Sequence, residues 1–299
     1  MKIVVAGGTG WIGSALGPAL VADGHELVIL TRSVRPATHG TRYVTWDGRT
    51  LGPWVSEVDG ANAVINLSGE SIAASRWTPT RKRALRASRI DPTRALVAAI
   101  AQAAHPPAVL ANASAVGYYG NCGDVALSET EPPGKDFLAK LVVDWEAETR
   151  DSVTRAIQLR LGVVIGPGSE AVVRMALPFH FFVGGPIGSG RQWFPWVHRD
   201  DVIGIIRFAL TNPELEGALN VTAPEPVRNR EFARTLGLVM HRPSWVPMPA
   251  VALRLTFGEL GEALLASQRV LPTRAAALGY GFQYPTLAPA LANSLRSQP

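Results

Sequence analysis

The stretch Gly7-Gly8-Thr9-Gly10-Trp11-Ile12-Gly13 carries glycines at the spacing Gly7-x-x-Gly10-x-x-Gly13. The first permits a tight turn, the second lets the backbone approach a pyrophosphate, and the third lets a helix pack closely on a strand. Ahead of the run stands Lys2–Ala6 (KIVVA), a β-branched stretch that reads as a buried parallel strand. Behind it, Trp11 to Ala22 has apolar residues at helical spacing, ended by Asp23-Gly24-His25. A helix that starts here turns free amides and its positive dipole end toward a phosphate. In this strand–turn–helix context the triplet predicts a dinucleotide site rather than a bare glycine turn.

The second strand, Glu26 to Leu30, decides which dinucleotide. An acidic residue about 20 positions on from the glycines would bind a ribose 2′-hydroxyl. The chain has Thr31-Arg32-Ser33 instead. An arginine flanked by hydroxyls suits a 2′-phosphate, so Arg32 and Ser33 favour NADP(H) over NAD(H). The competing reading leaves Arg32 as a solvated loop residue.

These residues need a scaffold, and the pattern supplies one. Strands are predicted at Arg42 to Thr45, Ala63 to Leu67 and Ala108 to Ala113, with a long helix from about Thr80 to Ala104. A loop from Gly117 to Lys135 leads to a helix around Phe137 to Ser152 and a strand from Ala156 to Ile165. Such alternation implies an α/β fold, a Rossmann doubly wound parallel sheet. Residues 1–166 are assigned to the cofactor-binding domain and 167–299 to a smaller C-terminal substrate lobe. Within the latter, about 200–222, with a helix over Asp201 to Thr211 and a strand at Ala218 to Val221, is expected to return to the first domain. Prolines at 226, 243, 247, 249, 272, 285 and 289 predict short helices beyond Pro224.

Composition excludes several classes. Of 299 residues, 47% are hydrophobic and 18% charged, a globular balance that argues against long disorder. No run reaches the roughly 18 apolar residues of a membrane span, and the start lacks a signal-peptide pattern, so a cytoplasmic protein with no membrane partner is expected. Cys122 is the sole cysteine, which rules out a disulfide framework or a cysteine-based zinc site; no metal is expected. It lies in a turn-like Gly-Asn-Cys-Gly-Asp and reads as a packing residue. The net charge of +5 is mostly dispersed; the cluster Arg81-Lys82-Arg83 with Arg86 and Arg89 reads as a solvated helix face, so no nucleic acid is expected.

With this start, and with Asn66-Leu67-Ser68-Gly69 and Ser114 to Gly120 (SAVGYYG) after later strands, the whole chain resembles the extended short-chain dehydrogenase/reductases. It is most similar to their atypical epimerase-family subgroup. Further matching stretches are Asp136-Phe137-Leu138-Ala139 with Trp145-Glu146, Arg160 to Pro167, and Trp196-Val197-His198. Gly258-Glu259, Leu264-Leu265, Gln268 to Pro272, and Gly281-Phe282 with Tyr284-Pro285 resemble that subgroup's terminal domain of unknown function. The resemblance implies that Gly7, Thr9, Gly10, Trp11, Ile12 and Gly13 line the pyrophosphate and that Arg32 and Ser33 meet the adenosine phosphate. Leu67, Ser68 and Gly69 would approach the nicotinamide ribose, and Asp47 the adenine.

Typical members pair tyrosine and lysine as Tyr-x-x-x-Lys, the lysine lowering the tyrosine pKa for proton exchange. Here Lys140 takes the lysine place, but Asp136 stands where the tyrosine belongs. Ser114 fits the upstream serine to within one residue, and Arg89 replaces the family's asparagine. The candidate catalytic set is therefore Ser114, Lys140 and Tyr118. Tyr119 could also supply a phenol, Asp136 or Glu70 a carboxylate and His198 an imidazole, but the plainer readings are packing for the tyrosines, a helix-start charge for Glu70, a hydrogen-bonded loop residue for His198 and a backbone cap for Ser114. The expected function is an NADP(H)-dependent oxidoreductase or epimerase-like enzyme acting on a small molecule. A non-catalytic NADP(H)-binding redox-sensing module is the alternative, and a homodimer follows from family analogy alone.

Overall fold

Ile3, Val4, Val5 and Ala6 are buried on both sides of their strand, as an unbroken apolar run demands. The computed structural model describes residues 1–296. In chain order the first elements are β1 (Lys2–Ala6), α1 (Gly13–Ala22), β2 (Glu26–Thr31), β3 (Thr41–Thr45), β4 (Ala63–Asn66), α2 (Pro79–Gln102) and β5 (Val109–Ala115). Next come β6 (Ala126–Leu127), α3 (Phe137–Ala147), β7 (Arg155–Leu161), β8 (Val163–Ile165) and α4 (Glu170–His180). They are followed by β9 (Trp193–Phe194), β10 (Trp196–His198), α5 (Arg199–Thr211) and β11 (Gly217–Val221). The rest is β12 (Val227–Arg228), α6 (Asn229–Met240), α7 (Ala250–Phe257), α8 (Glu259–Leu265), β13 (Arg269–Val270), α9 (Thr273–Ala277) and α10 (Leu287–Leu295).

Seven strands form one parallel sheet in the order β11-β7-β5-β4-β1-β2-β3. Leu16 and Leu20 of α1 join Ile205 and Ile206 of α5 on the face that carries Ile3 and Val5. Leu96, Ala99 and Ile100 of α2 cover the opposite face with Val4 and Ala6. Helices on both faces make this the doubly wound Rossmann sheet that the alternating pattern predicts. The strand order reverses between β1 and β4, and ligands of such sheets sit outside the strand C-termini at that point.

One local expectation is corrected. The strand expected from Ala156 to Ile165 breaks at Gly162. Gly162 N donates to Val221 O in the main sheet, and Val163 N then donates to Pro195 O at 2.6 Å, carrying β8 into a separate ladder with β10. A Cβ at Gly162 would stand 2.5 Å from the Pro195 carbonyl oxygen, so glycine is required at the crossover. The structure adds α4, a helix within the Gly- and Pro-rich stretch after 167, where the sequence pattern assigns no element. Ser169 caps it by accepting from Val172 N, and Val172, Ala176 and Phe179 supply a buried face. That face joins Ile165, Trp196, Phe232, Leu236 and Leu291 in a second apolar core.

Candidate cofactor and active site

The glycine loop is fixed by close backbone approach. Gly7 has φ +75°, and a Cβ there would lie 2.6 Å from the carbonyl of Leu67, so the turn after β4 presses directly on it. At Gly13 a Cβ would lie 2.5 Å from the Cα of Gly8. Gly10 N donates to Gly7 O at 3.0 Å and Ser14 N to Gly10 O at 2.7 Å. The start of α1 has no side-chain cap and no acidic residue in its first turn. The amides of Trp11, Ile12 and Gly13 meet no acceptor among the described residues. Unpartnered amides at a helix start, in a cradle that side chains would fill, fit a dinucleotide pyrophosphate. Trp11 Nε1 donates to Pro167 O at 3.0 Å, and the Arg199 guanidinium lies 5.2 Å from the Trp11 ring centre, tying this turn to the end of β8.

The β1–β2 register, Ala6 opposite Leu30, brings Thr31-Arg32-Ser33 level with the glycine loop. Arg32 and Ser33 are exposed, and the Arg32 guanidinium makes no ion pair or hydrogen bond among the described residues. Trp46 N donates to Thr31 O, so the end of β3 lies alongside. Asp47 there closes its own turn. Its carboxylate accepts from the Thr50 hydroxyl at 2.6 Å and from the amides of Thr50 and Arg49, which hold its pKa down at about 2.

A buried amide cluster shapes the turn after β4. Asn66 Nδ2 donates to Asn112 Oδ1 at 2.7 Å and to Thr93 Oγ1 at 2.9 Å, while Asn66 Oδ1 accepts from Ser68 N. Leu67 N donates to Ala6 O at 2.9 Å. Arg89 packs behind Gly69, donating to the carbonyls of Glu70 and Leu85. Burial, with Arg81 adding to it, pushes the Arg89 pKa down to about 10. The Glu70 carboxylate itself is ion-paired with Arg81.

Ser114, Tyr118 and Lys140 are not joined by hydrogen bonds among the described residues. Ser114 is 2% exposed and its hydroxyl donates to Glu146 Oε1 at 2.6 Å. Glu146 accepts both Nε and Nη2 of Arg160 at 2.8 Å, and Arg160 is 4% exposed. Arg160 Nη1 donates to Tyr119 Oη at 3.0 Å and to Glu129 O, and its guanidinium lies 3.5 Å from the centre of the Tyr118 ring. Tyr119 Oη donates in turn to Asn220 Oδ1 at 2.7 Å, and burial pushes its pKa up. The Tyr118 hydroxyl and the exposed Lys140 ammonium have no partner among the described residues.

The substitutes are committed elsewhere. Asp136 caps α3, its carboxylate accepting from Ala139 N at 2.8 Å. His198 is fully buried; Nδ1 accepts from Asp200 N at 3.2 Å and Nε2 lies 3.1 Å from Asn293 Oδ1. Burial pushes its pKa down against the pull of Asp200. Burial also pushes the Cys122 thiol up, and Sγ donates to Tyr119 O.

Sequence reasoning missed two partnerships here. Arg160 is a charge set between Leu159 and Leu161, a signal that it has a buried partner, but nothing singles out Glu146 among Asp144, Glu146 and Glu148 as that partner. Gln268 gave no such signal, yet its Nε2 donates at 2.9 Å to both Val116 O and Gly120 O, clamping the turn that carries Tyr118. Next to it, Ser267 Oγ donates to Gly123 O at 2.6 Å and β13 pairs with β6. No group of three or more metal-binding side chains occurs among the described residues, and no described helix is long and apolar enough to cross a membrane.

The chain is 39% identical over 297 residues to the mouse epimerase family protein SDR39U1, covering 97% of this chain and 98% of that protein. It is 41% identical over 298 residues to an Arabidopsis thaliana homologue described as chloroplastic, covering 97% and 86%. The crystal structure of human SDR39U1 (isoform 2) with NADPH superposes with a TM-score of 0.91 at 37% identity over 100% of both chains. Residues 248–294 match the model of a domain of unknown function, DUF1731. Residues 3–222 match the model of the NAD dependent epimerase/dehydratase family, and the chain belongs to that family.

Proposed function

We propose that the chain binds NADPH across the C-terminal ends of β1, β2 and β4 and acts as an NADP(H)-dependent oxidoreductase or epimerase-like enzyme on a small molecule. The observation that carries this reading is the exposed, unpaired Arg32 level with a glycine loop whose helix amides lack acceptors. In this account Gly7, Thr9, Gly10, Trp11, Ile12 and Gly13 hold the pyrophosphate. Arg32 and Ser33 hold the 2′-phosphate, and Leu67, Ser68 and Gly69 present backbone to the nicotinamide ribose, with Arg89 packed behind them. When bound, the nicotinamide supplies or accepts hydride. The NADPH held by the human relative supports the choice of cofactor.

For the accompanying proton, Tyr118 is the phenol whose hydroxyl is not engaged, Lys140 is a free ammonium on the neighbouring helix, and Ser114 would have to exchange its bond to Glu146. Residues 1–166 form the cofactor lobe in this reading, and those from 167 mainly the substrate lobe, with about 200–222 belonging to the first. A second reading, a non-catalytic NADP(H)-binding module, is favoured by Asp136, which caps α3 where the proton-transfer tyrosine would stand. Turnover with a substrate panel separates the two.

Titration with NADPH and, separately, NADH, followed by energy transfer from the eight tryptophans to bound nicotinamide, tests the cofactor assignment. NADPH is expected to bind more tightly. Arg32→Ala is expected to weaken NADPH binding about tenfold or more, the worth of a charge-assisted hydrogen bond, and to leave NADH unchanged. Unchanged NADPH affinity in that variant overturns the 2′-phosphate role.

A further inference from the structure

We infer that the end of α4 and the segment after α6 together form a docking surface for an anionic lipid bilayer. Three independent features meet there. The first is exposed apolar surface: Phe181 is 70% exposed, Phe182 55% and Trp245 72%, and Leu177, Val183 and Val246 are exposed beside them. Large aromatic side chains grouped in water mark an interaction site.

The second feature is backbone geometry. Phe182, at φ +60°, and His241, at φ +54°, are the non-glycine residues with positive φ among those described, and both belong to this surface. Each follows a helix end where glycine would adopt that conformation without steric cost. Conformations of this kind persist where the surroundings over-determine them, and here they do. Trp245 Nε1 donates to Phe182 O at 3.2 Å, and the amides of Trp245 and Val246 both donate to Gly184 O. The two segments are thereby stitched into one rigid face.

The third feature is charge. Residues 171–198 and 232–258 contain no aspartate or glutamate, but they hold Arg174, Arg191, Arg234, Arg242 and Arg254. Arg174 and Arg254 are paired with Glu170 and Glu262, which flank these stretches. Arg242 makes no ion pair among the described residues; its guanidinium lies 4.7 Å from the centre of the Phe182 ring, and its Nε is buried without a partner. An aromatic tip under an unpaired cation, on two segments that carry no carboxylate of their own, has the chemistry of the membrane interface. Phe and Trp enter the acyl boundary while arginine meets lipid phosphate. The absence of a spanning segment bears on insertion across a bilayer, and a surface contact needs none.

Flotation of the full chain with phosphatidylcholine vesicles, and with phosphatidylcholine vesicles containing phosphatidylserine, tests the inference. Binding is expected to the anionic vesicles alone and to fall steeply with added salt. Phe181→Ser and Trp245→Ser are each expected to reduce that binding about tenfold, the loss from one withdrawn aromatic side chain. Phe181→Ser should retain the far-ultraviolet circular dichroism and the melting temperature of the parent chain, since its side chain is largely exposed and makes no hydrogen bond, whereas Trp245→Ser also loses the indole bond to Phe182 O, so Phe181→Ser is the deciding variant. Failure to bind anionic vesicles overturns the inference, as does binding that neither substitution alters. A concentration-dependent dimer dissolved by the same substitutions assigns the surface to a second copy and equally refutes the lipid assignment.

Discussion

Replacing Glu146 with leucine leaves Arg160 as a buried cation with no carboxylate to meet it. Burial by itself pushes the Arg160 pKa down, but the hydrogen bonds and charge of Glu146 outweigh it and raise the net value, so the guanidinium is charged throughout the working range. The pair is enclosed, with side chains 4% and 14% exposed, and solvent screening is slight. Removing one partner of such a pair costs about 3–5 kcal/mol. For a chain of this size that lowers the melting temperature by roughly 5–8 °C. Arg160→Met alone should cost a similar amount, because Glu146 is then stranded beside Ser114. The double variant, Glu146→Leu with Arg160→Met, should recover much of the loss, since two apolar side chains of comparable volume replace the pair. A double-mutant cycle from urea midpoints measures the coupling, expected above about 2 kcal/mol. Additive single effects, or single losses below about 1 kcal/mol, would refute the reading of Glu146 and Arg160 as a strongly coupled buried pair.

Gly7→Ala should destabilise the chain by about 1–3 kcal/mol and abolish the NADPH signal, because the added Cβ would meet the Leu67 carbonyl at 2.6 Å in a backbone with φ +75°; an unaffected titration refutes the close-approach argument. Gln268→Ala should speed amide hydrogen exchange across Gly117 to Gly123 while leaving β1 protected, since two carbonyls of that turn lose their donor; equal protection in both chains shows that the clamp is idle. The depressed pKa of His198 means that the unfolded chain takes up its proton at higher pH than the folded one. Its contribution is therefore intact above about pH 6.5 and lost as the pH falls through that value toward the folded pKa. His198→Gln should flatten that limb of the stability profile, and identical slopes in the two chains count against it.

The amino-acid pattern determined the parts of this protein that depend on neighbours in sequence. Lys2–Ala6 reads as a buried strand because its apolar run is continuous, and the glycine triplet declares its turn because only glycine tolerates the backbone contacts made there. The exposure of Arg32 could be anticipated for a similar reason, since its neighbours carry no counter-charge. Helix α4 was hidden by the glycines and prolines that surround it, although Ser169 and its i, i+3 cap lay in plain sight.

Tertiary structure decided what long-range partners do to individual side chains. Ser114 looks like a catalytic hydroxyl in sequence, but Glu146, 32 residues away, holds it in a buried ion-pair network. Asp136, which the family resemblance sets at the tyrosine's place, is held as a cap by the start of α3. Gln268, 152 residues beyond Val116, clamps the candidate site because β13 lies beside β6. Periodicity and turn chemistry act over a few residues and can be read from a string. A hydrogen bond or ion pair across more than a hundred residues depends on which elements the sheet order sets side by side, and folding alone determines that.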